Sequence, residues 1–173
     1  TRRQSGKSSI PDFVGGLSTT VEAYGFDLTI QTAFQLGGYV YDSNYAGLMT
    51  TGDAGQNFHK DMFNRWTPTN TDTNIPALGY QIQTQSISQG NYVDFYLTEA
   101  SYFSLRNITL GYSLPKTWLQ KAGIEKLRIY LTGDNIWLQS KRKGLDPRYD
   151  FTGSTNFSYS ALSTYSIGLN LTL

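Results

Sequence analysis

No cysteine occurs among the 173 residues, so neither a disulfide framework nor a thiolate metal site is available. Histidine occurs once, at His59, which excludes a multi-histidine metal site and suits a polar surface role better than catalysis. Charge is scarce as well. Asp, Glu, Lys and Arg make up 16% of the chain and sum to +1, a balance that does not call for nucleic acid or a polyanionic partner. The one basic cluster, Lys141-Arg142-Lys143, reads as a solvated loop. No apolar run approaches the ~18 to 20 residues that a membrane helix needs, so any contact with a membrane core has to be made by strands. The chain opens on Thr1 with no leader ahead of it and reads as a mature or internal stretch.

What is present is tyrosine and glycine, 13 and 17 residues, within 14% aromatic content, the composition of strands and turns. The cleanest pattern is at the end. Tyr165, Ile167, Leu169, Leu171 and Leu173 alternate with Ser166, Gly168, Asn170 and Thr172, which gives one apolar face and one uncharged polar face. Such a strand, expected over about 157–173, meets something greasy on one side and suits a wet lumen on the other.

Earlier segments repeat the theme. Phe13 to Ala23 alternates weakly, with Gly15-Gly16 expected to bend it, and Tyr24-Gly25 forms a tight turn into Phe26, Leu28, Ile30, Phe34 and Leu36. After Gly37-Gly38 the periodicity is lost until about Leu97, far beyond the ~12 to 15 residues of an ordinary loop, and that length implies a functional or disordered segment. Within it, Gln56 to Trp66 predicts a short helix with Phe58, Met62, Phe63 and Trp66 near one face, ended by Thr67-Pro68. Ser101 to Leu114 is the third strand. Pro115 to Gly123 is a short amphipathic turn of helix closed by its glycine. A fourth strand sets Leu127, Ile129 and Leu131 against Arg128, Tyr130, Thr132 and Asp134, then loses alternation at Asn135-Ile136-Trp137-Leu138, which implies a bulge or emergence from the membrane zone. Short connections (Tyr24-Gly25, Pro115 to Glu125) alternate with long ones (Gly38 to Ala100, Ser140 to Asn156). That is the layout of an outer-membrane barrel, yet about five strands cannot close one, since single-chain barrels begin at ~8. The expected fold is therefore all-β, an antiparallel transmembrane barrel segment of about five strands.

The runs Ala100-Ser101-Tyr102-Phe103-Ser104-Leu105-Arg106-Asn107-Ile108-Thr109-Leu110-Gly111-Tyr112-Ser113-Leu114-Pro115, Leu127-Arg128-Ile129-Tyr130-Leu131-Thr132-Gly133-Asp134-Asn135 and Lys143-Gly144-Leu145-Asp146-Pro147 resemble the C-terminal part of SusC/RagA-type TonB-dependent transporters. Asn64-Arg65-Trp66-Thr67-Pro68 with Asn74-Ile75-Pro76 resembles that family's long-loop motif, and Gly16 with Tyr24-Gly25-Phe26-Asp27-Leu28 its preceding hairpin. The resemblance covers essentially residues 1–173 as one stretch of barrel, with the long extracellular loop at about 38–100. It implies the end of a barrel of about 22 strands with a plugged lumen. It further implies an outer-membrane location, import of oligosaccharides or peptides, energy from the TonB complex through an N-terminal part absent here, and a SusD-like surface lipoprotein as partner. Ser166, Gly168, Leu171 and Leu173 resemble the outer-membrane assembly signal. Family members usually end in an aromatic residue, commonly Phe, where this chain has Leu173.

Candidate site residues follow from these two lines. Arg65, Trp66, Tyr80, Tyr92 and Tyr96 are candidate loop contacts to a partner or substrate, and aromatic packing within the loop is the competing role for each. Arg128, Tyr130, Asp134 and Asn170 are expected to face the lumen. Asp134, Asp146 and Asp150 have no acid/base spacing, and Thr69 to Asn74 lacks the spacing of a calcium loop. No enzyme activity, cofactor or metal is expected, and no nucleic acid. The competing reading is a soluble β-sandwich adhesin or carbohydrate-binding module, against which the uncharged faces of the last strand speak.

Overall fold

The structure is a computed structural model that describes residues 6–50, 55, 57–77, 94–141, 143–149 and 160–173. In chain order its elements are β1 (Phe13–Ala23), β2 (Phe26–Leu36), β3 (Tyr39–Tyr41), α1 (Ser43–Thr50), β4 (Leu97–Glu99), β5 (Tyr102–Ser113), α2 (Lys116–Leu119), β6 (Lys126–Ser140) and β7 (Thr164–Thr172). They fall into two compact units. One comprises Pro11–Gly37, Ala100–Asp146 and Tyr159–Leu173, the other Thr1–Ile10, Gly38–Glu99 and Pro147–Ser158.

The first unit is a five-stranded antiparallel meander, β1-β2-β5-β6-β7. The β1–β2 hairpin closes through Tyr24 (φ 53°) and Gly25 (φ 86°), the pair of positive φ values whose twist matches the flanking strands. Glycine is required at the second place twice over, because a Cβ there would also stand 2.9 Å from the Ser113 carbonyl oxygen. Pro115, which has no N–H to give a ladder, stands where β5 has ended. α2 and a following 3-10 turn, Gln120–Ala122, stop at Gly123 in the left-handed conformation (φ 69°). The short turns share one end of the sheet, and the chain leaves for both long connections from the other.

Register converts the alternation into rows. Val21, Leu28, Leu110, Leu131 and Ile167 form one row on the apolar face, and Ala23, Phe26, Tyr112, Ile129 and Leu169 the next. On the opposite face Thr20, Thr29, Thr109, Thr132 and Ser166 stand side by side. Thr20 and Thr29 hydroxyls lie 3.0 Å apart, and those of Thr109 and Thr132 2.9 Å apart. Aromatic pairs flank the apolar band: Phe26 and Tyr112 centroids are 4.5 Å apart toward the turns, Phe103 and Trp137 6.1 Å apart toward the long connections. From Phe26 to Phe34 at about 3.3 Å per residue the band runs ~26 Å along a strand.

The expected bulge is present, but it does not end the strand. β6 continues to Ser140, and the register steps from Asn107↔Asp134 to Leu105↔Trp137, so that Asn135 and Ile136 on β6 stand against Arg106 alone on β5. Asn135 takes a positive φ of 51° there. Its side-chain amide donates to the Ala161 carbonyl, and its own carbonyl accepts from the Ser163 hydroxyl at 2.7 Å. Those bonds hold 161–163 outside the ladder, so among the described residues the last strand is paired from Thr164; 157–159, expected to begin it, lie outside the described residues. β1 pairs with β2 through Gly15 and Gly16 without a register shift. A Cβ on Gly15 would meet the Phe34 ring at 2.7 Å and one on Gly16 the Thr32 carbonyl oxygen at 2.9 Å; close cross-strand packing is the reason for both.

The second unit is a folded insertion. β3 and β4 pair (Tyr39↔Glu99, Val40↔Thr98, Tyr41↔Leu97) and clamp the base of the long segment. Asp42 caps α1: its carboxylate accepts from the Tyr45 N–H at 2.8 Å and its carbonyl from the Ala46 N–H at 2.9 Å. Tyr41, Ala46, Met49, Met62, Ile75 and Tyr96 make the core. The helix expected over Gln56 to Trp66 is instead a 3-10 turn, Lys60–Asn64, with Met62 inward and Phe63 85% exposed. The turn goes no further because the Trp66 N–H donates to the Ile75 carbonyl at 2.8 Å, and the Asn70 side-chain amide donates to the Asn64 and Arg65 carbonyls just beyond it at 3.1 and 3.2 Å.

Met49 is 1% exposed at the centre of that core. Met49→Ala is expected to destabilise the insertion by about 2 to 5 kcal/mol, read as faster protease cleavage within 38–99 of the folded receptor while the sheet stays protected. Unchanged cleavage would remove the insertion's claim to a core of its own.

Candidate functional site

The polar face of the sheet is organised by one ion pair. Arg128 on β6 reaches past β5 to Asp27 on β2, its Nε donating to Asp27 Oδ1 at 2.8 Å and Nη2 to Oδ2, a two-pronged fit of guanidinium to carboxylate. The intervening position is Gly111. A Cβ there would lie 2.4 Å from Asp27 Oδ1 and 2.5 to 2.6 Å from Arg128 Nη2 and Nε, so the bridge exists because β5 has no side chain beneath it. The guanidinium carbon also stands 5.0 Å from the centroid of the Tyr130 ring, within cation–π range. Tyr130 in turn lies over Gly168 of β7, where a Cβ would meet its Cζ at 2.2 Å.

Further along this face, the Asn107 amide donates to Asp134 Oδ1 at 2.7 Å and to Thr132 Oγ1 at 2.9 Å, and the Thr109 hydroxyl donates to Asn107 Oδ1 at 3.0 Å. Register puts Arg128 opposite Asn170 and Tyr130 opposite Gly168, so Arg128, Tyr130, Asp134 and Asn170 share one face. Sequence reading placed these four together but missed Asp27 and Gly111. The missing signal is register, since only the pairing of β2 with β5 and of β5 with β6 brings positions 27 and 128 to either side of 111.

Of the residues that resemble an assembly signal, Ser166 faces Thr132 in the hydroxyl row and Gly168 seats Tyr130. Leu171 pairs with Leu127 on the apolar face, and Leu173 is exposed beyond the strand.

In the insertion, Arg65 is partly buried and its Nη1 donates to the Met62 carbonyl at 3.0 Å. Trp66 keeps 44% exposure, while its N–H is tied to the Ile75 carbonyl at 2.8 Å. Tyr96 does not present itself to a partner: it is 5% exposed and packs edge-on against Tyr41, Tyr45 and Phe95. Tyr80 and Tyr92 lie outside the described residues. His59 accepts the Asp61 N–H on Nδ1 at 3.2 Å and caps the 3-10 turn, beside the Tyr45 hydroxyl that donates to Asp61 Oδ2 at 2.9 Å. Burial first, then the Asp61 carboxylate, hold the Tyr45 phenol above its ordinary pKa, so it stays a donor at any physiological pH. Among the described residues no group of three or more His, Cys, Asp or Glu could hold a metal ion.

No protein-family model matches the chain. It is 28% identical over 172 residues to TonB-dependent receptor P3 of Formosa agariphila, covering 93% of this chain and 16% of that receptor. With TonB-dependent receptor SusC of Bacteroides thetaiotaomicron it shares 31% identity over 171 residues, 95% of this chain and 15% of SusC. Its fold matches the RagAB peptide importer in the closed-closed state with a TM-score of 0.78 at 27% identity, over 96% of this chain and 18% of that one. The open-open state of the same importer gives 0.78 at 25% identity, over 100% and 19%. The chain thus spans about one sixth of the length of the curated receptors it matches. In sequence and in fold alike, it matches the SusC/RagA type of TonB-dependent receptor, as a C-terminal segment of the barrel.

Proposed function

We propose that this chain is part of an outer-membrane, TonB-dependent active importer of oligosaccharides or peptides that works with a SusD-like surface lipoprotein. The observation that carries the reading is the sheet itself. One face is apolar and uncharged over membrane-spanning length, the other carries hydroxyls, amides, the Asp27–Arg128 ion pair and the charged residues Glu22, Lys126 and Asp134, and short and long connections leave from opposite ends. The apolar face meets lipid, and Arg128, Tyr130, Asp134 and Asn170 line the lumen. Gly38 to Ala100 and Ser140 to Asn156 lie outside the cell, and the turns at Tyr24-Gly25 and Lys116 to Glu125 in the periplasm. Arg65 and Trp66, with Tyr80 and Tyr92, are the loop residues assigned to partner or substrate, whereas Tyr96 serves packing. TonB acts through the N-terminal part of the receptor. Peptide is what the similar RagAB is named for, and uptake of labelled peptide against labelled oligosaccharide by cells carrying the receptor separates the two substrate classes.

The sandwich alternative gains nothing here, since Tyr165, Ile167 and Leu169 of β7 remain 59 to 75% exposed where a soluble fold would have covered them.

Two experiments test the reading. With Leu169 toward lipid and Asn170 toward the lumen, Leu169→Arg is expected to cost roughly 2 to 4 kcal/mol near the bilayer midplane and Asn170→Arg little. A lipid-facing guanidinium finds no water, whereas a lumen-facing one does. The measure is heat-modifiable, folded receptor in outer membranes, with Leu173→Phe expected to assemble at least as well as the parent; equal loss for both arginine variants, or none for either, removes the face assignment. For topology, Thr71→Cys should react with an impermeant maleimide on intact cells and Gln120→Cys should not, and the opposite result would invert the barrel.

A further inference from the structure

β5 and β7 each contain a single glycine, Gly111 and Gly168. Both fall in one row of the sheet, because Asp27 pairs with Gly111, Gly111 with Tyr130 and Tyr130 with Gly168. Large side chains and missing ones therefore alternate across four strands, and each large group occupies the space that the neighbouring glycine leaves. A Cβ at 168 would stand 2.2 Å from Tyr130 Cζ and 2.3 Å from its Oη; one at 111 would stand within 2.6 Å of three polar atoms of the Asp27–Arg128 bridge.

Register follows from this. A one-residue slip of β7 turns its polar residues to the apolar side, and a two-residue slip preserves the faces but brings Ser166 or Asn170 beneath the Tyr130 ring. Both have a Cβ. The same slip of β5 brings Thr109 or Ser113 beneath the ion pair. Alternation of polar and apolar residues cannot distinguish registers that differ by two; the glycine row can.

We infer that this row is a register latch, in which Tyr130 seated on Gly168 and the Asp27–Arg128 bridge over Gly111 select one alignment of β2, β5, β6 and β7 as the last strand joins the sheet. Gly168 then matters as a seat within the folded sheet, not as a feature read from the unfolded strand by assembly machinery.

The test uses the full-length receptor and the variants Gly168→Val, Tyr130→Ala and their combination, with Thr172→Val as control. Valine is a better strand former than glycine, so a defect at 168 does not come from strand propensity. Folded receptor is read as the heat-modifiable form, both in cell outer membranes and after refolding from urea into detergent with no other protein present. The latch predicts loss of that form for Gly168→Val in both settings, recovery in both to the level of Tyr130→Ala when that change is added, a smaller loss for Tyr130→Ala alone, which removes the selector without a clash, and none for Thr172→Val; Tyr130→Ala at the parent's yield overturns the selection of register. A Gly168→Val receptor that folds like the parent, or a double variant no better than the single, overturns the latch. So does a defect confined to cells, which would assign Gly168 to recognition by the assembly machinery. Import is not the readout, so failure of the transport reading leaves this result intact.

Discussion

Register is the constraint on which the rest of this sheet depends. Side chains alternate with a period of two, and each backbone donor and acceptor must find its partner on the neighbouring strand. A single shift would therefore turn Leu28, Leu110, Leu131 and Ile167 away from one another and set them among threonines. The observed pairing keeps five apolar residues abreast on one side and five hydroxyls abreast on the other. Hydrophobic patterning accounts for the choice of face. It leaves the choice between registers two residues apart to something with shape, and the Asp27, Gly111, Tyr130 and Gly168 row has that shape.

The long insertion solves a different problem. Joining β2 to β5 through some sixty residues carries a closure entropy that grows only slowly with length, but an unstructured segment of that size would leave its apolar residues without cover. Pairing β3 with β4 brings the two ends of the insertion together at their roots, and Met49, Met62, Ile75 and Tyr96 then form a small core above a capped helix. The Lys60–Asn64 turn ends where the Trp66 N–H turns to the Ile75 carbonyl, and Asn70 bonds the carbonyls left at that end. That leaves Phe63 exposed on a fixed scaffold, which is how a folded loop presents a side chain outward.

The sheet was legible in the sequence because nothing in it opposes the alternation: β1 and β2 start and stop where the pattern does, and the bulge at Asn135 sits where the pattern breaks. The insertion was harder to read. β3 and β4 are three residues each, too short for a period to declare itself, and α1 carries Gly47 and only weak segregation of apolar residues. The helix expected over 56–66 follows from spacing that the structure does not use, because the Trp66 N–H, which an α-helix would give to the Met62 carbonyl, goes to the Ile75 carbonyl, while Met62 accepts from Arg65 instead. For the site, the faces of Arg128, Tyr130, Asp134 and Asn170 follow from parity alone. The Asp27–Arg128 bridge does not, since its partners are 101 residues apart and meet only through a third strand. Tyr96 was misplaced for a related reason: an aromatic residue in a polar segment reads the same whether it is offered outward or is the core of that segment.

The polar face has a further property that bears on passage of a solute, if that face lines the lumen as proposed. Its charges are grouped by height. Glu22, Asp27, Lys126 and Arg128 lie within two rows of the short turns, with Asp27 and Arg128 neutralising one another. The next row toward the long connections is hydroxyl throughout, and beyond it Asp134 accepts a hydrogen bond from Asn107. Where such polar groups already bond to each other across the strands, the wall is wet without being adhesive, because a passing solute must displace an existing bond to form a new one.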